Sequence, residues 1–286
     1  RKDTLETMVA DLDERNLALL TVDMDNPHGY GRIVRNEQGL VQAIVEQKDA
    51  TAEQQQIQEV NTGILAVSAS HLKQWLPALS NSNAQGEYYL TDIIAMAVDH
   101  GLSVTVSQPL NPFEVQGVNN RLQLAELERW YQRQQAERLM TEGASLADPA
   151  RIEVRGELII GNDLWIDVNA VFEGRVSLGN NVVIGPNCVI KDATIADGAE
   201  IKANSVIEGA VVGANAQIGP FARLRPGTEL AANTKVGNFV ETKKAVVGEG
   251  SKINHLSYVG DASLGRNVNV GAGTITCNYD GFDKFK

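Results

Sequence analysis

The chain of 286 residues has few cysteines and few aromatic residues, with Cys 2 and an aromatic content of 5%. Cys188 and Cys277 lie far apart and have neither a disulfide framework nor the spacing of a zinc site, which indicates a reducing compartment. No apolar run approaches the length of a membrane span, and no signal peptide is visible. These absences predict a cytoplasmic protein that has no membrane partner.

Positive charge is also scarce, because Lys+Arg 25 stand against Asp+Glu 36 and give a formal net charge of -11. Nucleic acids and anionic membranes require a basic surface, so neither is expected as the main partner. Any phosphate that the protein binds must therefore be held by a local basic cluster. With 43% hydrophobic and 21% charged residues, the composition is that of a globular protein of about two domains.

An aliphatic residue recurs every six positions from Ile160 onward, with one-residue slips, and only Thr242 and Thr276 depart from the apolar rule. Six-residue repeats are typical of a parallel β-helix, in which the repeated residue points inward and stacks on neighbouring coils. Gly and Asn in LGNN, IGPN and LGRN supply the backbone freedom that sharp corners need. The repeated positions are Ile160, Ile166, Phe172, Leu178, Ile184, Ile190, Ile195, Ile201, Ile207, Val212, Ile218, Leu224, Leu230, Val236, Thr242, Val247, Ile253, Val259, Leu264, Val270 and Thr276.

The first part of the chain mixes patterns of strands and helices, which predicts an α/β domain. A segment without proline then runs over 119–143, where Leu124, Leu127, Tyr131 and Leu139 form a sparse apolar stripe. Such a stripe predicts a mostly solvated helix that connects two domains. The predicted strands cover 17–22, 31–35, 41–46 and 62–67, and the predicted helices cover 70–79 and 92–98.

The predicted domains are 1–121, a helical linker at 122–142 and the β-helix at 143–286. The chain opens at Arg1 without a Met and stops while the six-residue repeat is still running. Because the ends of a solenoid need caps, we expect the chain to be an internal fragment of a longer protein.

One stretch of the repeat concentrates charged and polar side chains, among them Arg223, Arg225, Lys243, Lys244 and His255. A local basic cluster suits an anionic small molecule, because Arg grips phosphate bidentately and Lys supplies a point charge. The alternative is that these residues belong to solvated faces of the β-helix. Both interpretations remain open from the residues alone.

His255 and Tyr258 lie three positions apart, where both could face a cleft. A neutral imidazole can remove a proton from an amine during attack on an acyl donor, and the Glu241 carboxylate could orient it. The alternative for His255 is a hydrogen-bonded surface histidine. In the first domain, Asn61 and Asn119 could hydrogen-bond sugar hydroxyls or a base, or could be ordinary turn residues. Neither a P-loop nor GxGxxG is present in the chain.

The segments GYGRI, IVEQKDAT, EVNTGIL, NAQGEYYLTDII, GVNNRLQL, IGPFARLRPG, VGNFVE and GAGTITCNYDG together resemble the bacterial bifunctional N-acetylglucosamine-1-phosphate uridylyltransferase/glucosamine-1-phosphate N-acetyltransferase family. The resemblance covers essentially the whole chain. It implies the C-terminal part of a Rossmann-like nucleotidyltransferase domain, a helical linker and a left-handed parallel β-helix that assembles as a homotrimer.

The resemblance also implies the functional residues. In the first domain, Gly31, Glu46, Asn61 and Asn119 are similar to contacts of UDP-N-acetylglucosamine, and Asn119 also resembles a ligand of Mg²⁺. His255 resembles the general base of acetyl transfer, and Glu241 is the candidate for orienting it. Further positions of the β-helix resemble the glucosamine-1-phosphate site (Arg225, Lys243, Tyr258, Asn269) and the acetyl-CoA and acceptor cleft (Ala272, Asn278, Tyr279).

The implied reactions are acetyl transfer from acetyl-CoA to glucosamine-1-phosphate, followed by uridylyl transfer from UTP with release of pyrophosphate. The family's glycine-rich nucleotide loop, its second Mg²⁺ ligand and its last coils are not in this sequence. We therefore expect the chain alone to be inactive as a uridylyltransferase and weak or inactive as an acetyltransferase. The alternatives are another left-handed β-helix sugar acyltransferase or nucleotidyltransferase, and a non-enzymatic solenoid scaffold.

Overall fold

The structure is a computed structural model, which describes residues 1–118 and 120–283. Packing divides the chain into two compact units, Arg1–Leu127 and Glu128–Lys286. The division falls within helix α4 (Arg121–Thr141). The bounds 1–121, 122–142 and 143–286 of the predicted domains remain predictions.

The first unit is built on a five-stranded mixed sheet in the order β3-β2-β4-β1-β5. Strands β1 and β5 are parallel, whereas β1 and β2 each pair with β4 in the antiparallel sense. The predicted strands and helices of this unit are present with shifted ends, so the α/β class is confirmed. Its elements are α1 (Lys2–Val9), β1 (Asn16–Asp23), β2 (Arg32–Arg35), β3 (Val41–Val45), β4 (Glu59–Ala66), α2 (Ala69–Trp75), α3 (Ile93–Asp99), β5 (Ser103–Ser107), and short 3-10 helices at Gln54–Gln56, Leu76–Ala78, Leu90–Asp92 and Pro112–Val115.

Apolar side chains cover both faces of the central strand β1. Leu17 and Leu19 belong to one cluster with Trp75 of α2 and Ile94 of α3. Ala18 and Leu20 point to the opposite face, where they belong to a smaller cluster with Met8 of α1. A strand that is buried on both faces has a continuous run of apolar residues. This explains the sequence LALLTV of β1.

The second unit is a parallel β-helix with three stacks of short strands. One stack is an eight-stranded sheet, in the order β25-β22-β19-β16-β13-β10-β8-β6. The other two stacks share a twelve-stranded sheet, because the long strand β9 pairs with β11 through its first half and with β12 through its second half. Equivalent positions on neighbouring coils are 17 or 18 residues apart.

The strands of this unit are β6 (Ala144–Leu146), β7 (Ile152–Ile160), β8 (Leu164–Ile166), β9 (Ala170–Leu178), β10 (Val183–Ile184), β11 (Val189–Lys191), β12 (Thr194–Ile195), β13 (Glu200–Ile201), β14 (Val206–Glu208), β15 (Val211–Val212), β16 (Gln217–Ile218), β17 (Arg223–Leu224), β18 (Glu229–Leu230), β19 (Lys235–Asn238), β20 (Glu241–Lys243), β21 (Val246–Val247), β22 (Lys252–His255), β23 (Tyr258–Gly260), β24 (Ser263–Leu264) and β25 (Asn269–Val270).

The six-residue positions form the core of this β-helix. Ile184, for example, is fully buried between Ile166 and Ile201 of the adjacent coils. Thr242 also points inward and is fully buried, and its hydroxyl lies 3.0 Å from the buried hydroxyl of Thr228. The predicted parallel β-helix of hexapeptide repeats is thus confirmed, and its left-handed sense is the one that the resemblance implies.

Asparagines occupy one stacked corner of the first coils. Asn169, Asn187 and Asn204 all have positive φ angles, and asparagine tolerates this left-handed conformation better than most residues. The side-chain amide of Asn169 also donates a hydrogen bond of 2.8 Å to Asn187 Oδ1 one coil away. The corner is therefore stabilised both along the chain and between coils.

The second half of α4 caps the first coil of the β-helix. Gln132 is buried, and its side-chain amide donates to the carbonyl of Val154 at 3.0 Å and accepts from the Val154 N–H at 2.8 Å. Arg138 donates to the carbonyl of Leu158 at 3.1 Å, and Ala136 is buried in the same core. Gln132 thus pairs with the first long strand as a neighbouring strand would.

Most residues of this helix are exposed, as predicted, but one face of its second half is buried against the β-helix. Leu124 and Tyr131 of the predicted apolar stripe are exposed, whereas Leu139 is buried. The apolar pattern did not predict the contact of Gln132 with Val154, because the end of a β-helix exposes backbone donors and acceptors as well as apolar surface. A glutamine can satisfy such groups, although it counts as polar in the pattern.

We expect Gln132→Leu to lower the free energy of unfolding of the second unit by about 1–3 kcal/mol, because Val154 loses both partners and each unsatisfied buried group is costly. Urea denaturation followed by circular dichroism measures the change. Arg133→Ala is the matched control, since it removes only an exposed ion pair with Glu137, which typically contributes less than about 0.5 kcal/mol. Equal effects of the two substitutions would contradict the capping role.

Candidate functional sites

Three predicted sugar-binding residues of the first unit lie together at neighbouring strands. Gly31 precedes β2, Glu46 follows β3 and Asn61 lies in β4. The Asn61 N–H donates to the Gly31 carbonyl at 2.9 Å. A Cβ atom on Gly31 would lie 3.2 and 3.3 Å from the carboxylate oxygens of Glu46 and 2.8 Å from Ile44 Cγ2. The absence of a side chain at Gly31 is therefore what leaves room for the Glu46 carboxylate.

Glu46 lines an acidic groove of about 270 Å³ together with Asp49, Tyr89 and Asp92. Thr91 donates its hydroxyl to Glu46 Oε1 at 3.1 Å, and Tyr89 donates to Asp49 Oδ2 at 3.2 Å. Burial raises the pKa of the Asp92 carboxyl, and the nearby Asp49 charge raises it further. Carboxylates and hydroxyls in this arrangement can bind the hydroxyl groups of a sugar.

The sequence did not single out Asp49, Thr91 or Asp92. They belong to the segments IVEQKDAT and NAQGEYYLTDII. The spacing of the acidic residues, tyrosines and threonines in these segments does not match any motif that would mark a binding site. Only the fold shows that the loop after β3 and the turn before α3 line one groove.

Arg32 supports the Gly29–Gly31 loop from the protein interior. Its side chain is buried, with one guanidinium nitrogen donating to the Tyr30 carbonyl and another to Gln47 Oε1 at 2.7 Å. The same Gln47 oxygen accepts from the Gly29 N–H at 3.2 Å. Burial lowers the pKa of the Arg32 guanidinium. These contacts hold the loop that ends beside Glu46.

Asn119, the predicted Mg²⁺ ligand, lies outside the described residues. Across residues 1–118 and 120–283, no group of three or more His, Cys, Asp or Glu side chains is arranged to hold a metal ion.

In the second unit, Arg223, Glu241 and Tyr258 occupy equivalent positions on three successive coils. Arg225 Nη1 lies 2.8 Å from Glu241 Oε1, and Arg223 Nη1 lies 3.9 Å from Glu241 Oε2. The carboxylate therefore interacts with two guanidinium groups. This pairing holds Arg225 in place while leaving it about one-third exposed.

Lys243 lies beside Gly260 in the same ladder. A Cβ atom on Gly260 would lie 2.4 Å from the hydroxyl oxygen of Tyr258, so the phenol ring extends across this glycine toward the position of Lys243. Among the described residues, Lys243 forms no ion pair. The structure thus brings Arg225, Lys243 and Tyr258 together on the twelve-stranded sheet.

His255 is exposed at the end of β22, and its imidazole contacts Asn238 rather than Glu241. Nδ1 of His255 lies 3.1 Å from Asn238 Oδ1, and the two residues are paired on adjacent coils. Glu241, the candidate for orienting the imidazole, contacts Arg225 instead, because its own ladder position places it over Arg223 and under Tyr258. The sequence missed Asn238, although its spacing of 17 residues from His255 equals one coil.

The remaining predicted residues lie on the last described coil. Asn269 pairs with Lys252 in the eight-stranded sheet, and Ala272 is exposed. Asn278 donates its side-chain amide to Asp261, and the Tyr279 hydroxyl donates to the Gly281 carbonyl at 2.7 Å. This coil follows His255 directly, but no hydrogen bond joins these four side chains to the imidazole among the described residues.

These features define a chain in which an α/β unit with a sugar-sized acidic groove precedes a hexapeptide-repeat β-helix with a polar cluster. A family model described as "GMPPB C-terminal domain" matches residues 154–236. The chain is 99% identical over 284 residues to "Bifunctional protein GlmU" of Marinobacter nauticus and 62% identical to the protein of the same name from Marinomonas sp.. The resemblance is therefore confirmed: along 99% of its length the chain is similar to proteins named GlmU.

The chain spans 63% of the length of each of these two relatives. Among solved structures, it is similar to the acetyltransferase domain of PglB from Neisseria gonorrhoeae in complex with acetyl coenzyme A. The sequence identity is 18%, the TM-score is 0.31, and the match covers 62% of this chain and 87% of that chain.

The helices of the described part of the chain include none that is both long enough and apolar enough to cross a membrane.

We expect Gly31→Ala to destabilise the first unit by about 1–3 kcal/mol, because the added methyl group would overlap Ile44 and press on Glu46. Thermal unfolding measures the effect. Gly117→Ala is the matched control, since a Cβ there would meet only the Tyr30 hydroxyl at 3.9 Å. A Gly31→Ala protein as stable as the control would show that Glu46 does not need this space.

Proposed function

We propose that the chain carries parts of two active sites of a bifunctional sugar-nucleotide enzyme. The β-helix transfers acetyl from acetyl-CoA to glucosamine-1-phosphate, and the α/β unit then takes part in uridylyl transfer from UTP to N-acetylglucosamine-1-phosphate. The identity of 99% to a curated bifunctional protein supports this proposal. The observation that carries it is the contact between His255 and Asn238, since Asn238 ends the strand that precedes Glu241 of the Arg225–Glu241 pair.

Asn238 leaves one imidazole nitrogen available as a base. When Nδ1–H donates to Asn238 Oδ1, the lone pair of His255 lies on Nε2, at the exposed side of the ring. The 2-amine of glucosamine-1-phosphate attacks the thioester carbon of acetyl-CoA and loses a proton to Nε2. The carbon–sulfur bond then breaks, and coenzyme A leaves as a thiol after protonation. No acyl-enzyme intermediate is required.

Arg225 and Lys243 would hold the sugar phosphate. Arg225 already faces Glu241, so its guanidinium is oriented before the substrate arrives, and its remaining N–H groups can bind phosphate oxygens. Lys243 adds a charge that no carboxylate among the described residues pairs with. Asn269, Asn278, Tyr279 and Ala272 would complete the acceptor and acetyl-CoA cleft. Holding both substrates in one orientation supplies much of the rate.

We expect His255→Ala to lower the rate of acetyl transfer about 10²–10⁴-fold, the usual loss for a general base. Acetyl-CoA-dependent loss of the free amine of glucosamine-1-phosphate measures the rate. The substitution should be made in this chain and in the Marinobacter nauticus relative, which is 99% identical over the shared residues. A near-normal rate in the relative would exclude His255 as the base.

Asn238 is proposed as a positioning residue, so Asn238→Ala should lower kcat by about five- to tenfold with little change in KM, the effect of one lost hydrogen bond. Asn238→Asp retains an acceptor and should restore most of the rate. The matched control is Asn233→Ala, at another corner of the same coil. If Asn238→Asp were as slow as Asn238→Ala, the contact would be structural only.

For the first unit we propose that Glu46, Asn61 and the backbone at Gly31 bind the N-acetylglucosamine part of the sugar nucleotide. The support is their shared position beside the acidic groove. UTP and Mg²⁺ belong to this proposal through the family resemblance. The described residues include no group of three His, Cys, Asp or Glu side chains that could hold the metal.

Two alternatives make different predictions. A related acyltransferase would acetylate another amino sugar, whereas a scaffold would bind neither acetyl-CoA nor a sugar phosphate at millimolar concentration. Lys243 lies beside Arg225 and has no ion-pair partner among the described residues, which favours an enzyme over a scaffold, because a scaffold has no need of a phosphate site. The free cysteines, Cys188 and Cys277, support the proposed location in the cytoplasm.

We also propose that the β-helix assembles as a homotrimer through an apolar corner. Phe221, Phe239 and Leu256 are stacked at one corner with positive φ angles and are at least half exposed. The two phenylalanine rings stack with centroids 5.4 Å apart. A left-handed conformation costs a residue other than Gly roughly 1–2 kcal/mol. Exposed aromatic residues in this conformation are expected where another chain covers them.

We expect Phe221→Asn/Phe239→Asn to shift the protein from trimer to monomer without unfolding it, because asparagine occupies the equivalent corner of earlier coils. Light scattering after size exclusion measures the mass, and Val211→Ser, which changes an exposed valine on another sheet position, is the control. A double variant that remains trimeric would remove this corner from the interface.

A further inference from the structure

A second basic site lies on the eight-stranded sheet of the β-helix, away from the Arg225–Lys243 cluster. It is an open groove of about 200 Å³ whose lining includes Lys202, Gln217, Lys235, Asn254 and His255. We call it the basic groove; Lys252 is not part of its lining but is the strand neighbour of Lys235 on the next coil. The groove shares His255 and Asn238 with the proposed acetyl-transfer site.

The strand register places two lysines directly beside each other. Gln217, Lys235, Lys252 and Asn269 occupy equivalent outward positions on four successive coils. The following residue on each strand, such as Val236 or Ile253, points into the core, so the lysine side chains stay on the outer face. Like charges on adjacent strands destabilise a sheet. Such a pair is more readily explained by an anionic ligand than by stability.

These two lysines also differ from most other cations of the second unit. Lys191 and Lys202 have carboxylate partners within 4.0 Å. Among the residues that the structure describes, Lys235 and Lys252 form no ion pair and no side-chain hydrogen bond. The formal net charge of the protein is -11, so carboxylates are abundant, yet none neutralises this position.

The lining of the basic groove suits a phosphate group. Its other polar side chains are neutral donors, because Gln217, Asn238 and Asn254 carry amides. No carboxylate belongs to the described lining, although Glu200 lies 3.8 Å from Lys202 Nζ. Lysine ammonium groups and amide N–H groups together can neutralise and hydrogen-bond the oxygens of a phosphate or diphosphate.

We propose that the basic groove binds a phosphate or diphosphate group, held by Lys235 and Lys252 and flanked by Lys202 and the neighbouring amides. Two sources have this chemistry: the phosphates of the acetyl donor, and free inorganic phosphate or pyrophosphate. The site goes beyond the proposed acetyl transfer, because binding there requires neither a base at His255 nor the Arg225–Lys243 cluster.

The test is calorimetric titration of this chain with sodium pyrophosphate at low ionic strength. Lys235→Gln/Lys252→Gln should weaken binding at least tenfold, and added salt should weaken binding to the unchanged chain, since exposed charges are screened. Lys2→Gln/Lys73→Gln removes two exposed lysines of the first unit and changes net charge equally, so this control should bind as the unchanged chain does.

Removal of two like charges should not unfold the β-helix, and circular dichroism checks this. Lys235→Glu is a second variant, which should abolish binding by repelling the anion. Acetyl-CoA then distinguishes the sources: displacement of pyrophosphate assigns the site to the acetyl donor, and independent binding assigns it to free phosphate. Absence of pyrophosphate binding at millimolar concentration, or equal affinity in the double variant and its control, would overturn the proposal.

Discussion

The second unit depends on the stacking of inward aliphatic side chains between coils that are joined by parallel strand pairing. Ile184 illustrates this, because it is fully buried and stacks between Ile166 and Ile201 of the adjacent coils. A buried side chain of this size stabilises the fold by roughly 1.5–3 kcal/mol, but no coil can bury its own. The first coil therefore needs a different neighbour, and Gln132 of α4 supplies it with hydrogen bonds rather than with another strand.

The same ladders that stack the core also stack the outward side chains, so chemistry in this unit arises between coils. Asn238 meets His255, and Glu241 lies between Arg223 and Tyr258, because these residues share ladder positions. Lys235 and Lys252 are brought together in the same way. A functional group in a β-helix is thus surrounded by residues one coil away. Its neighbours along the chain lie on other sheet positions or in the core.

Much of the fold could be predicted from local patterns. The six-residue period identified the inward positions, and alternating or clustered β-formers located the strands of the first unit. The site was predicted less completely. Gly31, Glu46 and Asn61 do lie together, but the pairing of Glu241 with Arg225 was not foreseen. The burial of Gln132 and the contact of Asn238 with His255 were also missed, because each depends on which residue the packed elements place opposite another.

The side chains of the β-helix that point inward follow from the local repeat, since a period of six places every repeated aliphatic residue at an equivalent position of a coil. The contacts between outward residues follow from how the coils stack. Coils of 17 and 18 residues alternate irregularly, and each slip changes the residue that lies above a given one. The core tolerates these slips because one aliphatic side chain can replace another. A hydrogen bond or an ion pair does not tolerate such a slip, because it needs a particular donor and a particular acceptor within a narrow range of distance.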